Sequence, residues 1–129
     1  MVVRSLLYAF LIKLGKKMMN KQSLNRVFLI GRLGDSPLGK TTPSGKSVTT
    51  FSLATNESWL SDQGKAVEHV EWHHLCVFGS LADFAAQFLK KGQLVFAEGT
   101  IRSRFWVEGE TKKKKTEVLC SNITLLDKK

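Results

Sequence analysis

Cysteine is scarce in this sequence, and its two occurrences, Cys76 and Cys120, stand far apart. Neither belongs to a CxxC pair, so the spacing typical of many zinc sites and of redox-active dithiols is missing. Both cysteines lie in apolar stretches, and the chain has no convincing secretory signal. These observations favour buried thiols in a reducing compartment over a disulfide.

Acidic residues are missing from the start of the chain, where the first one is Asp35. Within residues 1–20, an arginine precedes the short apolar run SLLYAFLI, but no small-x-small cleavage site follows. Such a run is too short to span a bilayer. Two interpretations stay open, an organellar targeting segment or over-called sequence upstream of a start at Met18 or Met19. We treat residues 1–20 as an N-terminal extension and residues 21–129 as one domain.

Positive charge, by contrast, is present in excess. Twenty Lys and Arg stand against eleven Asp and Glu, which gives a formal net charge of +9. Four of the bases lie in the extension, so residues 21–129 still carry +5. An excess of this kind attracts a polyanion or an anionic membrane surface, and it favours a nucleic-acid partner without indicating a fold. The length suits one globular core and is too short for two domains.

Alternating apolar residues and turn signals predict five strands and one helix. The strands are expected at residues 24–34, 48–55, 68–78, 93–107 and 116–126. Gly99 is expected to form a bend or bulge in the fourth strand. The helix is expected at residues 80–92, with Ser80 as its N-cap and Gly92 as its stop. One helix between strands three and four predicts a mainly β fold, a five-stranded OB-fold barrel plugged by the helix.

Two short motifs suggest enzyme chemistry, but neither has the arrangement that the chemistry requires. The SGKS of residues 44–47 resembles the end of a P-loop, but the required upstream glycine would fall at Lys40, and a strand follows instead of a helix. His73, His74 and Cys76 are close in sequence, yet on a strand His73 points away from the other two. A metal site needs three or four ligands. We predict no catalytic residue, no metal and no cofactor; an enzyme is the rival class, testable by metal analysis and an ATPase assay.

Aromatic residues interleaved with Lys and Arg form a third group of candidate functional residues. Trp59 ends the second strand, Trp72 and Phe78 share one face of the third, and Trp106 follows two arginines. Exposed aromatic rings stack bases at about 1–3 kcal/mol per base, while Lys and Arg follow the phosphates. The polar neighbours of the tryptophans suit a surface better than a core. The phenylalanines expected in the core are Phe51, Phe84, Phe88 and Phe96. The lysine run at residues 112–115 is expected at a hairpin tip, either as a solvated loop or as part of an electrostatic track.

Six segments of the chain stand together in the order and spacing of one family: LNRVFLIGRLG, FSLATNESW, EWHHLCVFG, LADFAAQFLKKG, VFAEGTIRSRFW and the closing TEV strand. Residues 24–126 therefore resemble the bacterial and mitochondrial single-stranded DNA-binding proteins (SSB). The resemblance implies an OB-fold subunit that assembles, usually as a homotetramer. It also implies binding of single-stranded DNA with little sequence preference, and protection of that DNA during replication, recombination and repair.

The resemblance also assigns roles to individual residues. The base-stacking positions are Trp59, Trp72, Phe78 and Trp106. The phosphate or polar contacts are expected at Arg32, Lys46, His74, Arg102, Arg104, Lys112 and Lys113. His73 matches a histidine associated with subunit contacts.

The chain departs from the family at its C-terminus, which reads LLDKK. Typical bacterial members continue into a flexible linker with an acidic tip that recruits replication and repair proteins, so the resemblance does not carry that recruitment over to this sequence. No membrane partner is expected. The expected location is the bacterial cytoplasm at the nucleoid, with the mitochondrion as the alternative. The rival among binding proteins is a primosomal relative of the same fold that acts mainly through protein contacts.

Overall fold

The computed structural model describes residues 22–127, so the N-terminal extension and the last two lysines lie outside the described residues. The elements are β1 (Val27–Leu33), β2 (Leu38–Thr41), β3 (Ser47–Leu60), β4 (Ala66–Phe78), α1 (Gly79–Phe88), β5 (Leu94–Glu108) and β6 (Thr111–Leu125). Within this part of the chain no helix is long and apolar enough to cross a bilayer.

Five of the strands close into a barrel in the order β1, β5, β6, β4, β3, with β3 returning to β1. The β1–β3 seam is short and joins Arg32 and Leu33 to β3. A glycine is needed just before this seam, because a Cβ on Gly31 would lie 2.2 Å from the carbonyl oxygen of Ala54. The structure thus confirms a mainly β, five-stranded OB-fold barrel with one helix.

Alternate residues of the strands fill the barrel. Leu53, Leu75, Val77 and Val95 are at most 1% exposed, and burial of such a side chain stabilises the fold by about 1.5–3 kcal/mol. The helix α1 adds two buried alanines to this core. Its position is fixed in part by the buried Thr49 on β3, whose hydroxyl donates a 2.7 Å hydrogen bond to the carbonyl oxygen of Ala82.

The helix is shorter than predicted, and its N-cap differs. It begins at Gly79 directly after β4, with Phe78 in the N-cap position and no side-chain cap, so the predicted Ser80 cap is wrong. Gly79 has a φ of +68°, and this left-handed conformation makes the abrupt change from strand to helix. The helix ends at Phe88, which is 54% exposed and not in the core as predicted.

The strands of two hairpins are longer than predicted. The β3–β4 pairing continues to Leu60 and Ala66, and the β5–β6 pairing continues to Glu108 and Thr111. The lysine run at residues 112–115 is therefore part of β6 and not a loop. The turn before it contains Gly109, whose φ is +60°, as a two-residue hairpin turn requires. A run of identical lysines has no alternation that would predict a strand.

Both hairpins extend past the barrel as two-stranded arms. Residues 56–70 form the β3–β4 arm, and residues 103–116 form the β5–β6 arm. In the described part of the chain, the strands of each arm pair only with each other. No residue of either arm is buried, so both faces of each arm are open to a ligand, whereas a barrel strand has only its outer face available.

Two smaller features complete the sheet. β2 was not predicted; it is a four-residue, fully exposed strand that flanks β3. The bulge expected at Gly99 is confirmed, because the β5–β6 register shifts between Glu98 and Gly99. A Cβ on Gly99 would lie 2.1 Å from the carbonyl oxygen of Leu119. The chain therefore needs a residue without a side chain at this bend.

Candidate nucleic-acid interface

The pleat of β4 divides its side chains as predicted. Leu75 and Val77 point into the barrel and are at most 1% exposed. Trp72 and Phe78 point outwards and are 52% and 44% exposed. His74 lies between them on the same outer face and is exposed. The strand thus presents two aromatic rings and an imidazole to solvent on the side away from the core.

The indole of Trp72 rests against Gly34, at the end of the first strand region. A Cβ built on Gly34 would lie 2.2 Å from Cζ3 and 2.7 Å from Cη2 of that ring. The same Cβ would lie 3.0 Å from the hydroxyl of Ser52. Gly34 therefore leaves the space in which the Trp72 ring lies, and any other residue would displace the ring.

A second group of aromatic and basic side chains lies on β5 and β6. The guanidinium of Arg104 lies 5.2 Å from the centroid of the Trp106 ring, a cation–π contact. Arg104 also forms a 3.3 Å ion pair with Glu117. In the antiparallel register, Lys113 lies opposite Trp106 and Lys115 lies opposite Arg104, so these four side chains share one face.

A parallel pairing brings the two groups together. Cys76 of β4 pairs with Leu119 of β6, which joins the outer face of β4 to that of β5 and β6. Two open clefts lie along this junction. One, of about 310 Å³, is lined in part by His74 and Lys115. The other, of about 430 Å³, is lined in part by Phe78 and Arg104.

We call this continuous surface the β4–β6 face. Its members are Trp72, His74, Phe78, Arg102, Arg104, Trp106, Lys113 and Lys115. It combines three aromatic rings with basic groups from β4, β5 and β6, and the carboxylates of Glu108 and Glu117 lie on the same side. Solvent-accessible rings can stack bases, and the guanidinium and ammonium groups can neutralise phosphates.

Trp59 is not brought onto the β4–β6 face. It pairs with Val67 in the β3–β4 arm, and its side chain has the opposite strand parity to Trp72. It is 50% exposed and shares its side of the arm with Glu57, His69 and Glu71. His69 Nε2 lies 3.1 Å from a carboxylate oxygen of Glu71. Carboxylates on this side would repel phosphates, so Trp59 sits in a less favourable setting than Trp72.

Three predicted basic contacts also fall outside the β4–β6 face. Arg32 donates to the carbonyl oxygen of Gly92 at 3.0 Å and lies 3.5 Å from the carboxylate of Asp127, which offsets part of its charge. Lys46 lies in the turn before β3 and is exposed. Lys112 pairs with Val107 on the opposite side of the β5–β6 arm.

His73 faces away from the β4–β6 face, as the strand parity predicted. Its Nε2 lies 2.9 Å from the hydroxyl of Thr55 on the neighbouring strand, and the ring is half-buried. His73 and His74 therefore cannot act on the same ligand. Within residues 22–127, no three His, Cys, Asp or Glu side chains are grouped in a way that could hold a metal ion.

Both cysteines are buried free thiols, as expected. Burial raises the pKa of Cys76 above its ordinary value, with a smaller contribution from the carboxylate of Glu117. Burial raises the pKa of Cys120 to about 12. Since the thiolate is the nucleophilic form, both groups are held in the unreactive thiol state at neutral pH.

Sequence reasoning missed Gly34 and Lys115 as members of the site. Gly34 was interpreted as the end of the first strand. Its contact with the Trp72 ring joins strands that are distant in sequence, so no local pattern indicates it. Of the lysine run, Lys112 and Lys113 were predicted as phosphate contacts and Lys115 was left out. A strand assignment for the lysine run would have separated Lys113 and Lys115 from Lys112 and Lys114 by parity.

The chain is similar to several known proteins. The model of the "Single-strand binding protein family" matches residues 24–126. Single-stranded DNA-binding protein 1 of Chlorobaculum tepidum is 42% identical over 110 residues, covering 84% of this chain and 68% of the relative. The single-stranded DNA-binding protein of Neisseria meningitidis serogroup A is 50% identical over 82 residues, covering 64% of this chain. The chain spans 47% of the length of that Neisseria protein.

Solved structures agree with these sequence relatives. A Plasmodium falciparum SSB complex with ssDNA superposes with a TM-score of 0.77 at 35% identity, covering 84% of this chain and all of that chain. A deletion mutant of the single-stranded DNA binding protein from Thermus aquaticus superposes with a TM-score of 0.73 at 33% identity, covering 81% of this chain and 51% of that chain. The family match covers well over half of the sequence, and the barrel agrees with it: the chain belongs to the single-strand binding protein family.

Proposed function

We propose that this protein binds single-stranded DNA with little sequence preference. The observation that carries the proposal is the continuous β4–β6 face, on which three aromatic rings lie among basic side chains of β4, β5 and β6. Every base has a π-face, so stacking accepts any sequence. The names of the bacterial relatives and the DNA complex of the Plasmodium neighbour support the same partner.

The proposed division of labour follows the geometry. Trp72, Phe78 and Trp106 stack bases. Phosphates are contacted by His74, Arg102, Arg104, Lys113 and Lys115. The other predicted contacts, Trp59, Arg32, Lys46 and Lys112, lie off this face and would engage only a strand that continues past it.

The proposed cellular role is protection of exposed strands during replication, recombination and repair, as the family assignment suggests. The action is stoichiometric binding and requires no catalytic residue; the relatives named above are DNA-binding proteins. Because the Chlorobaculum and Neisseria relatives are bacterial, the proposed place of action is the bacterial nucleoid.

We further propose assembly into a homotetramer. The outer face of β1 is apolar: Phe28 and Ile30 are 61% and 58% exposed, and the Phe28 ring stacks on Phe96 with the centroids 6.4 Å apart. Among the described strands, residues 27–30 of β1 pair with β5 alone. An apolar strand with an open edge is a surface that a second copy can cover. The half-buried His73 is the proposed contact of a further interface.

Tryptophan fluorescence, titrated with oligo-dT of graded lengths at several salt concentrations, tests the proposed function. We expect strong quenching, an apparent affinity that falls with salt, and a site size of tens of nucleotides per oligomer. The log-log salt slope should change by about 0.7 for each phosphate contact on a single strand. Absence of quenching, or equal affinity for duplex DNA, would contradict the proposal and favour a role through protein contacts.

A further inference from the structure

The β5–β6 arm has a second face, turned away from Trp106. It carries Phe105 and Val107 on β5 and Lys112 and Lys114 on β6. Phe105 is 71% exposed, more than any other aromatic side chain among residues 22–127. We call these four residues the second arm face. None of them was needed to build the β4–β6 face.

The second arm face repeats the chemistry of the first at the same level of the hairpin. On the first face Arg104 contacts the ring of Trp106, and on the second the ammonium of Lys114 lies 5.8 Å from the centroid of the Phe105 ring. Phe105 and Lys114 are register partners, as Trp106 and Lys113 are. Each side of the arm thus pairs one aromatic ring with cationic side chains, and on the second side neither Lys112 nor Lys114 faces a carboxylate across the strands.

The charge of the second arm face indicates its occupant. In the paired part of the arm, this side has two lysines and no carboxylate, whereas the first side has Glu108 beside Trp106. Two such faces from separate copies would bring lysines against lysines, which opposes self-association. A polyanion with stackable rings matches both the charge and the exposed phenyl group.

The two faces are continuous at the base of the arm. The 430 Å³ cleft beside Phe78 is lined by Arg102 and Arg104 of the first side and also by Ser103 and Phe105. A strand held at Phe78 is therefore next to the start of the second arm face. The four residues of the second arm face are all exposed, so this side of the arm is open to a bound strand.

We propose that single-stranded DNA also binds the second arm face, with a base stacked on Phe105 and phosphates held by Lys112 and Lys114. This inference rests on the proposed function and extends it. The arm is then held between two segments of DNA, so that the strand passes along both sides of the hairpin. A longer oligonucleotide engages both sides, while a short one is satisfied by the β4–β6 face.

Substitution of Phe105 tests this inference without removing a tryptophan reporter. Phe105→Ala should weaken binding of long oligo-dT by about fivefold or more, the lower end of the range for loss of one stacked base. The affinity for the shortest oligo-dT that the wild type binds measurably should be the same in the variant as in the wild type. Phe105→Leu, which keeps an apolar side chain and loses the ring, should behave as Phe105→Ala does. Phe105→Trp should keep the wild-type affinity and should increase the quenching of tryptophan fluorescence when DNA binds.

Charge variants give a second, independent readout. Lys112→Gln with Lys114→Gln should lower the magnitude of the log-log salt slope for long oligo-dT by about 1.4, for two phosphate contacts, and leave that for short oligo-dT unchanged. The matched control is Lys113→Gln with Lys115→Gln on the β4–β6 face. This variant should lower the magnitude of the salt slope for both long and short oligo-dT.

Three results would overturn the inference while leaving the proposed function intact. The first is wild-type affinity in Phe105→Leu together with no added quenching in Phe105→Trp. The second is an unchanged salt slope in the Lys112 and Lys114 variant. The third is a change of oligomer mass in Phe105→Ala, by light scattering, with DNA affinity unchanged, because the face would then join copies of the chain. Failure of the proposed function is separate, since the wild type itself would then bind no oligo-dT.

Discussion

Single side chains on β4 owe their roles to the pleat of the strand. In the stretch EWHHLCVFG, adjacent residues point to opposite sides, so Trp72 and His74 reach solvent while His73 and Leu75 turn away. Proximity in sequence suggested a metal or thiol site, but strand geometry separates the groups. The charged residues around each aromatic ring then determine how favourably the ring can stack on a DNA base.

Trp72 and Trp59 should differ in their contribution to DNA binding. Trp72→Ala should weaken binding by about 1–3 kcal/mol through loss of one stacked base. Trp59→Ala should weaken it by less than about 1 kcal/mol, because carboxylates of Glu57 and Glu71 share its side of the arm and repel phosphates. Anisotropy of a labelled oligo-dT measures both without relying on tryptophan. Equal losses in the two variants would refute the distinction.

Gly34 should act as a positioning residue for Trp72. Gly34→Ala places a methyl group where the indole lies, and the flexible ring can move while the backbone stays. We expect weaker DNA binding, by about 1 kcal/mol or more if the stacking is lost, with little change in the urea unfolding midpoint. The control is Gly45→Ala, where the added Cβ meets nothing within 4 Å; its left-handed φ of +87° lowers stability, but the Trp72 ring is left in place, so DNA affinity should be unchanged. Unaltered DNA affinity in Gly34→Ala would show that the ring's position is unimportant.

The two arms are the elements in which the sequence was hardest to interpret. Their strands carry on beyond the barrel without a buried face, so the alternation of apolar and polar residues that marks a strand is absent at residues 112–115. Only the cross-strand register shows which lysines share a side with Trp106. The bulge at Gly99 marks the point on β5 where pairing with β1 ends, four residues before the arm begins.

Gly99→Ala should destabilise the fold by about 3 kcal/mol, because its methyl group would meet the backbone of Leu119 and Cys120, which cannot move independently. Gly109→Ala is the matched control at the other end of the same hairpin. There the added group meets nothing within 4 Å, and only the left-handed φ of +60° costs about 1 kcal/mol. Urea unfolding followed by tryptophan fluorescence compares the two. A smaller loss in Gly99→Ala than in Gly109→Ala would contradict the close approach.

At the scale of the whole molecule, β1 carries the surface that we propose for assembly. Its apolar outer face and partly unpaired edge are costly to leave in water, and the proposed DNA surface, the β4–β6 face, lies elsewhere on the barrel. The surface proposed for assembly and the surface proposed for DNA binding are therefore separate, and substitutions should affect the two properties separately.

Ile30→Asp should reduce the mass of the oligomer, because it places a charge on the apolar face that a second copy is proposed to cover. Leu60→Asp is the control, since Leu60 is 72% exposed at the tip of the β3–β4 arm. Light scattering measures the mass, and circular dichroism checks that both variants fold. A disruptive change at His73 should likewise shift the oligomer towards smaller species. Unchanged mass in the Ile30 and His73 variants would remove both surfaces from the proposed assembly.

The sequence by itself determined the barrel strands, the position of the helix, the bulge at Gly99 and the two sides of β4, because alternation and glycine placement are local signals. Its positive charge and aromatic spacing also indicated a nucleic-acid partner. Only the tertiary structure decided which aromatic rings and which basic side chains lie on the same surface. The contact of Gly34 with Trp72, the joining of β4 to β6 and the two sides of the β5–β6 arm all depend on pairing between distant segments, and no local pattern encodes that register.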